Sequence, residues 1–338
     1  MLSSQAAFAQ ARGDAGEIAP GDFLIDPPGL DAPAIRTPRL QTRVYADYTF
    51  ASSPDLSALS VVEGSARNHR FALGAALRIR NAEVAVEIPF VQITKARFDE
   101  IQLLGFRRQL EGSEDISVAR GDLRAGVSYS RALPGRPNLM LGAGLRTRLS
   151  THTSRFDIQT APPSGPPEPP VRYEFPRYFH IEPTVIFAAA FGPLSFVTNQ
   201  GLLAMLGKDV AYQLDLGAGP TTVTQVFPEL YFWDAHYALG MYFLDSFGFS
   251  LELGTVVQLN TVRDPPLPSP PYSDQLNDIV AVYLSPGVQI YLPAGTKLDV
   301  AGRIGLTDGA DRFGVISFSG RYSLMVRVTR SFDFAVAR

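Results

Sequence analysis

Residues 139 to 149 read LMLGAGLRTRL, and this stretch decides between the fold classes open to the chain. Leu139, Leu141, Ala143, Leu145 and Leu149 share one parity, whereas glycines and arginines fill most of the other parity. Successive side chains of a β-strand point to opposite faces of the sheet. The stretch therefore predicts a strand with one apolar face and one charged face.

The same alternation recurs in about a dozen segments along the chain. The predicted strands start near residues 40, 70, 83, 122, 139, 180, 194, 233, 249, 279, 297 and 321. The clearer segments run about 9 to 13 residues, whereas globular strands usually have about 5 to 6 residues and membrane strands about 9 to 11. Their length favours strands that cross a membrane.

The connections between these segments alternate between short and long. Tight turns are expected at residues 81–82, 134–138, 192–193, 245–248 and 293–296. Long connections lie near residues 52–69, 92–120, 151–177, 204–226 and 261–277, with a shorter one at 307–313. Outer-membrane barrels have short periplasmic turns, long extracellular loops and an even strand number. We therefore predict an all-β, transmembrane antiparallel up-and-down β-barrel of about 12 strands, or 14 if residues 209–227 add a hairpin.

A soluble barrel is the rival interpretation, because its interior would hold the apolar parity and its charged parity would face water. The strand lengths oppose this interpretation. An arginine on a lipid-facing surface costs roughly 2 to 4 kcal/mol at the bilayer midplane, so lipid would confine arginines to one parity. We expect the apolar parity to face hydrocarbon and the charged parity to line a lumen.

The amino-acid composition limits which binding partners are expected. The 338 residues contain 30 Lys and Arg against 33 Asp and Glu, a net charge of -3 with no basic stripe, so nucleic acid is not an expected partner. With no cysteine, there is neither a disulfide nor a thiolate metal site. His180 and His236 lack a metal-ligand spacing, and no metal or cofactor is expected.

The amino-terminal segment divides into two parts. Ala7-Phe8-Ala9 has the small-x-small form of a signal-peptidase site, so residues 1–9 are interpreted as a signal-peptide remnant, with a disordered terminus as the alternative. Residues 10–39 contain five prolines and no strand pattern, and we expect them either to hang in the periplasm or to plug the lumen. The transmembrane β-barrel is assigned to residues 40–334.

The charged parity supplies the candidate pore. Opposite charges inside a barrel wall can pair and set a transverse field that selects solutes. The predicted lumen-lining residues are Arg78, Glu87, Arg124, Arg146, Arg148, Glu182, Asp234, His236, Glu252, Asp299, Arg303, Arg321 and Arg327.

One short sequence suggests lipid hydrolysis. His152-Thr153-Ser154 has the His-x-Ser order that outer-membrane phospholipases and lipid A deacylases carry on a strand. Those enzymes act on lipid, so the pair must face outward, whereas this parity places it on the side of Arg146 and Arg148. We predict that the protein is not an enzyme.

The long connection at residues 94–112 has near-helical apolar spacing. Phe98, Ile101 and Leu104 recur at intervals of three, with acidic residues between them. A short amphipathic helix is expected here. It would act either as a constriction folded into the pore mouth or as an extracellular flap.

The region from residue 84 to the strand after Pro134 carries a family resemblance. Residues 84–90 (VAVEIPF), the long loop after them, residues 121–130 (GDLRAGVSYS) and the strand after Pro134 resemble the outer-membrane proteins associated with the meta-pathway of phenol degradation. Those proteins also look like distant relatives of the long-chain fatty-acid channel. The resemblance implies an outer-membrane barrel, and no binding residue is carried over from it.

These observations together predict a channel or transporter in the bacterial outer membrane. It would pass small solutes, hydrophobic or aromatic ones among them, through a charge-lined lumen. Outer-membrane lipid, a small-molecule solute and the barrel assembly machinery are the expected partners, and the oligomeric state stays open. The alternative is a non-conducting structural or adhesive barrel that acts through its extracellular loops, if the ion pairs close the lumen.

Overall fold

The structure is a computed structural model that describes residues 42–56, 62–103, 106–109, 114–151, 155–158, 171–174, 177–215, 220–243, 246–263, 276–317 and 319–332. Within these ranges the chain forms strands and one helix. They are β1 (Thr42–Ser53), β2 (Val62–Ile79), β3 (Ala82–Leu103), β4 (Phe106–Gln109), β5 (Glu114–Ala119), β6 (Leu123–Leu133), β7 (Arg136–Leu149), β8 (Arg155–Ile158), β9 (Val171–Glu174), β10 (Arg177–Phe191), β11 (Leu194–Lys208), β12 (Val210–Asp215), β13 (Pro220–Gln225), β14 (Leu230–Phe243), β15 (Phe247–Gln258), β16 (Val280–Leu292), β17 (Thr296–Gly305), α1 (Asp308–Ile316) and β18 (Tyr322–Phe332). The predicted segments 1–9 and 10–39 lie outside the described residues.

Twelve of these strands form a closed antiparallel barrel. The ring runs β1, β2, β3, β6, β7, β10, β11, β14, β15, β16, β17 and β18, and β18 pairs back onto β1. All twelve correspond to strands predicted from the alternation, so the barrel prediction is confirmed. The fourteen-strand alternative is wrong, because β12 and β13 form a hairpin at residues 210–225 that pairs only with itself.

The outer surface of the barrel is apolar and the inner surface is polar. On β2, Phe71, Leu73 and Leu77 are between 43% and 52% exposed, whereas the alternate side chains of Arg70 and Ala72 are buried. A soluble barrel would have the opposite arrangement, because its apolar parity would fill the interior. The exposed apolar faces therefore contact hydrocarbon, and the charged parity lines the lumen.

Tight turns connect the strands at one end of the barrel. They contain residues in the left-handed backbone region at Arg80 (φ 56°), Gly135 (φ 69°), Gly192 (φ 57°), Ala294 (φ 63°) and Gly295 (φ 71°). Such torsions match the twist of two-residue hairpins, and glycine adopts them without strain. Since short turns are periplasmic in outer-membrane barrels, the other end, with the long connections, is extracellular.

The expected helix at residues 94–112 is wrong. β3 continues as a strand to Leu103 and pairs with β4 and β5 beyond the barrel rim. A β-bulge at Phe90, opposite the Phe71/Ala72 step of β2, adds one residue to β3. The bulge switches the inward parity, so that Glu87 and Phe98 both point inward although one number is odd and the other even. Period two therefore persists, with a second register shift at Asp99, opposite the Glu63/Gly64 step of β2.

Helix α1 lies in the connection between β17 and β18, at the extracellular end. Ala310, Phe313, Val315 and Ile316 are buried, so one face of the helix packs into the barrel mouth. Among the described residues, no helix is long and apolar enough to span a bilayer.

Candidate functional site in the barrel lumen

Five charged side chains form the center of the polar lumen. We call Asp47, Arg70, Glu87, Arg124 and Arg327 the ionic belt. Glu87 accepts hydrogen bonds from Arg70 and from Arg124, the latter at 3.1 Å, and its second oxygen lies 4.0 Å from Arg327. Asp47 lies 2.9 Å from Arg327 and 3.6 Å from Arg70. These side chains are at most 11% exposed, so three cations share two carboxylates in a nearly dry interior.

Strand register explains why the ionic belt forms. Asp47 on β1 is directly opposite Arg327 on β18, and Glu87 on β3 is directly opposite Arg124 on β6. Directly opposed residues on one face of an antiparallel pair have Cβ atoms about 5 Å apart, which brings opposite charges into contact. The ring of Tyr45 lies 4.5 Å from the Arg327 guanidinium. It covers Gly74, where an added Cβ would overlap the ring.

A second ion pair lies next to the ionic belt along the wall. Arg146 on β7 and Glu182 on β10 are directly opposite, and the guanidinium binds both carboxylate oxygens, at 3.0 and 2.7 Å. The hydroxyl of Thr184 donates to Glu182 at 3.0 Å. Bidentate pairing fixes both side chains and makes this a rigid part of the lumen wall.

Two carboxylates enclose a buried histidine on the opposite wall. The Nε2 atom of His236 lies 2.7 Å from Asp234, and its Nδ1 atom lies 2.6 Å from Glu252. The ring passes over Gly254, where a Cβ would lie 2.7 Å from the ring. Within the described residues, no group of three or more His, Cys, Asp or Glu side chains is arranged to hold a metal. The three side chains form a hydrogen-bonded unit of the wall.

Arg148 links the wall to helix α1. Its guanidinium pairs with Asp122 and donates a hydrogen bond at 2.7 Å to the carbonyl oxygen of Ser317, just after the helix. Asp122 also accepts a hydrogen bond from the backbone N–H of Thr151 at 3.1 Å. A conformational change at the mouth must therefore break or move a contact of the charged wall.

The remaining predicted lumen residues occupy different levels. Asp299 on β17 lies directly opposite Arg327 and pairs with Lys297 at 3.0 Å. Arg303, also on β17, is 2% exposed, and its guanidinium lies 5.2 Å from the ring of Tyr283.

Two of the predicted residues lie at the ends of the barrel. Arg78 is exposed at the periplasmic end, where its Nε donates to the carbonyl oxygen of Arg80 at 3.0 Å. Arg321 lies at the extracellular end and pairs with Asp311 of α1. Burial raises the pKa of Asp311, and the positive charge of Arg321 opposes this shift.

Sequence reasoning left three of the central charges out of the candidate set, namely Asp47, Arg70 and Asp122. A signal existed for Asp47, because it shares its parity with Arg43 on β1. The alternation there is weak, since Tyr45 points inward while Tyr48 and other aromatic side chains share the opposite parity. The inward-facing Tyr45 therefore makes the charged parity of β1 hard to recognise in the sequence.

Above the ionic belt, toward the extracellular end, the interior becomes apolar. Phe313 of α1 packs edge-on against Phe232, with ring centroids 5.1 Å apart, and its ring centroid is 6.4 Å from that of Tyr283. The hydroxyl of Tyr283 donates to the carbonyl oxygen of Ala310 at 3.0 Å. We call the following buried cluster the apolar zone: Leu56, Ala66, Ala96, Phe98, Phe156, Tyr178, Leu203, Met205, Phe227, Leu230, Phe232, Val256, Val262, Leu276, Ile279, Ala281, Tyr283, Ala310, Phe313, Val315 and Ile316.

Neither a protein-family model nor a curated protein matches this chain. Several solved structures are similar to it. The translocator domain of the autotransporter NalP from Neisseria meningitidis has 13% identity and a TM-score of 0.54, with 98% of each chain covered. The CymD monoaromatic hydrocarbon channel has 9% identity and a TM-score of 0.51, with 97% of each chain covered. An outer-membrane channel from Pseudomonas putida F1 has 10% identity and a TM-score of 0.50, over 91% of this chain and 100% of that one.

At these identities the similarity concerns the fold, and the resemblance to the phenol-degradation family stays a prediction. The fold shared with these outer-membrane proteins agrees with the apolar outer surface and the polar interior. The chain is therefore a twelve-stranded β-barrel of the bacterial outer membrane.

Proposed function

We propose that this barrel is an outer-membrane channel for small solutes, in particular hydrophobic or aromatic ones. The observation that carries the proposal is the order of two environments along one closed lumen. The apolar zone lies at the extracellular mouth and the ionic belt lies nearer the periplasmic turns. A hydrophobic solute would lose water contacts on entering the apolar zone, which is favourable, before it meets the charges.

The ionic belt is proposed to act as the selective constriction. Glu87 is within 4.0 Å of three guanidinium groups, those of Arg70, Arg124 and Arg327. The carboxylate can therefore exchange one cation for another without losing all its partners. Such exchange would let the lumen open at a lower cost than the separation of an isolated buried pair.

The further residues proposed to line the path are charged or polar groups of the wall. They are Arg78, Arg146, Arg148, Glu182, Asp234, His236, Glu252, Asp299, Arg303 and Arg321. CymD, which has a similar fold, is a monoaromatic hydrocarbon channel, and this supports the proposed solute class. We also propose that the chain has no catalytic role; His152 and Ser154 lie outside the described residues.

Planar lipid bilayers test the proposal. Folded protein, verified by heat-modifiable gel migration, should give discrete conductance steps, and vesicles containing it should take up a small aromatic solute faster than empty vesicles. The matched control is the same protein after heat denaturation, which should give neither. If folded protein gave neither conductance steps nor faster solute uptake, the proposed function would be wrong.

The burial of the ionic belt favours a second candidate function. Its five side chains are at most 11% exposed, so water has little access to the belt in the structure. A barrel that stays closed would be a non-conducting structural or adhesive protein that acts through its extracellular loops. The bilayer recordings separate the two candidates, since only the channel gives steps.

A further inference from the structure

Arg303 differs from the other buried arginines of the lumen. Arg70, Arg148 and Arg327 each pair with a carboxylate. Arg303 is 2% exposed, and the Nη1 atom of its guanidinium has no hydrogen-bond partner among the residues that the structure describes. Its Nη1 atom is fully buried. A buried charge without a partner is costly, so its retention points to a ligand that supplies the partner.

Serine residues lie beside Arg303 on both neighbouring strands. Ser323 on β18 is directly opposite Arg303, is buried, and its Oγ has no hydrogen-bond partner within the described ranges. On the other side, the pairs Leu284–Ile304 and Gly287–Ala301 place Ser285 at the level of Arg303. Ser285 is also buried and faces the lumen. An arginine with a serine on each neighbouring strand offers donor groups suited to an anionic oxygen ligand.

The carboxylates near Arg303 are already engaged. Glu252 and Asp234 are the carboxylates whose charges act on Arg303, and no ion pair between either of them and the guanidinium is described. Both bind the ring of His236 instead, at 2.6 and 2.7 Å. Arg146, the other cation that acts on Arg303, is held by Glu182. The Nη1 atom of Arg303 therefore keeps an unused hydrogen-bonding position among the described residues.

Aromatic rings lie directly on the extracellular side of Arg303. The ring of Tyr283 contacts the guanidinium and faces Phe313 of α1, which in turn packs on Phe232. A molecule that placed an anionic group on Arg303 would therefore have its apolar part at the lower edge of the apolar zone. The two environments meet at this one residue.

We propose that Arg303, with Ser285 and Ser323, binds the carboxylate of an aromatic acid whose ring packs against Tyr283 beneath α1. This inference rests on the proposed function and narrows its solute class to aromatic solutes that carry an anionic oxygen. The guanidinium and the hydroxyl groups orient the acid, and the aromatic rings contact its ring.

Equilibrium binding of benzoate to the detergent-solubilised full chain, measured by isothermal titration calorimetry, tests the inference. Benzyl alcohol, which has the same ring and no charge, is the matched ligand. We expect benzoate to bind at least about tenfold more tightly than benzyl alcohol, and Arg303→Gln to remove about that factor for benzoate alone. Arg97→Gln makes the same change of net charge at an exposed residue and should leave both affinities unchanged.

Correct folding of each variant is checked by heat-modifiable migration. If Arg303→Gln does not fold, the double variant Ser285→Ala/Ser323→Ala should weaken benzoate binding by about threefold to tenfold. Equal affinity of the natural protein for both ligands, or unchanged benzoate affinity in a folded Arg303→Gln or double variant, would overturn the inference. Because this is a binding measurement, the loss of the channel function would show separately, as absent conductance with benzoate binding intact.

Discussion

The ionic belt and the apolar zone occupy the same inward face of the same strands, yet different forces hold them. On β2 they are four residues apart, with Ala66 in the apolar zone and Arg70 in the ionic belt. Hydrophobic contacts have no preferred direction and tolerate small shifts, whereas ion pairs require defined geometry and suffer when one partner is lost. Loss of one charge in the ionic belt should therefore destabilise the whole barrel, whereas loss of one side chain in the apolar zone should destabilise only its surroundings.

The largest effect is expected from Glu87→Gln, which keeps the shape of the side chain and removes its charge. Arg70 and Arg124 would lose their shared carboxylate in a buried site, and we expect the free energy of unfolding to fall by roughly 3 to 5 kcal/mol. Denaturant unfolding followed by heat-modifiable migration measures this change. In Asp99→Asn, which breaks the exposed pair with Arg97, the loss should stay below about 1 kcal/mol. Equal losses in the two variants would contradict the role of the belt.

A smaller and local effect is expected from Phe313→Ala. The change leaves a space between Phe232 and Tyr283. We expect α1 to lose about 3 kcal/mol of docking stability. This value is at the lower end of the range for a phenylalanine-to-alanine change, because the helix can move into the space. Hydrogen exchange in α1 should accelerate about a hundredfold while the barrel strands stay protected. Leu306→Ala, at an exposed position, is the control. If the barrel strands lost protection from hydrogen exchange together with α1, the stability of the apolar zone would not be separate from that of the barrel.

The connection between the two regions is tested by Arg148→Gln. Loss of its contacts with Asp122 and with the carbonyl oxygen of Ser317 should release the end of α1 by about 2 kcal/mol. We expect exchange at residues 313–317 to accelerate about tenfold or more, less than in Phe313→Ala. Arg97→Gln again serves as the control. An unchanged exchange rate would mean that packing alone holds α1.

The smallest effect concerns the pH dependence of α1. Because burial raises the pKa of Asp311, the protonated form favours the docked helix. Docking stability is therefore complete below the ordinary aspartate pKa and declines as pH rises through the raised value. Comparison of exchange in the natural protein and Asp311→Asn at each pH cancels the intrinsic pH dependence of exchange. The difference between them should change with pH across that window, and a constant difference would contradict the prediction.

Much of the barrel could be predicted because lipid imposes one simple rule on every strand. Arg146 and Glu182 share a parity with their inward neighbours, so the alternation alone located both. Which charges meet depends on register, which a single strand does not reveal. The pairing of Asp47 with Arg327 thus required the three-dimensional structure.

The misread segment at residues 94–112 shows where the rule fails. The bulge at Phe90 moves the inward positions from odd to even numbers, so that the pattern loses its phase within β3. Phe98 is buried by period two after the bulge, although its spacing from Ile101 suggested a helix. The sequence pattern does not predict helix α1 either, because residues 307–313 fit a short connection.

The pairing of β1 with β18 joins the two ends of the described chain, and the contact between Arg327 and Asp47 spans 280 residues. Such a closure cannot occur until the final strand has been synthesised and the intervening sheet has formed, which makes it a slow step. Until then, the free edge of β1 can pair with a wrong strand and Asp47 has no cation from β18. The contact between Arg327 and Asp47 therefore accompanies the loss of the last unpaired edge of the twelve-strand ring.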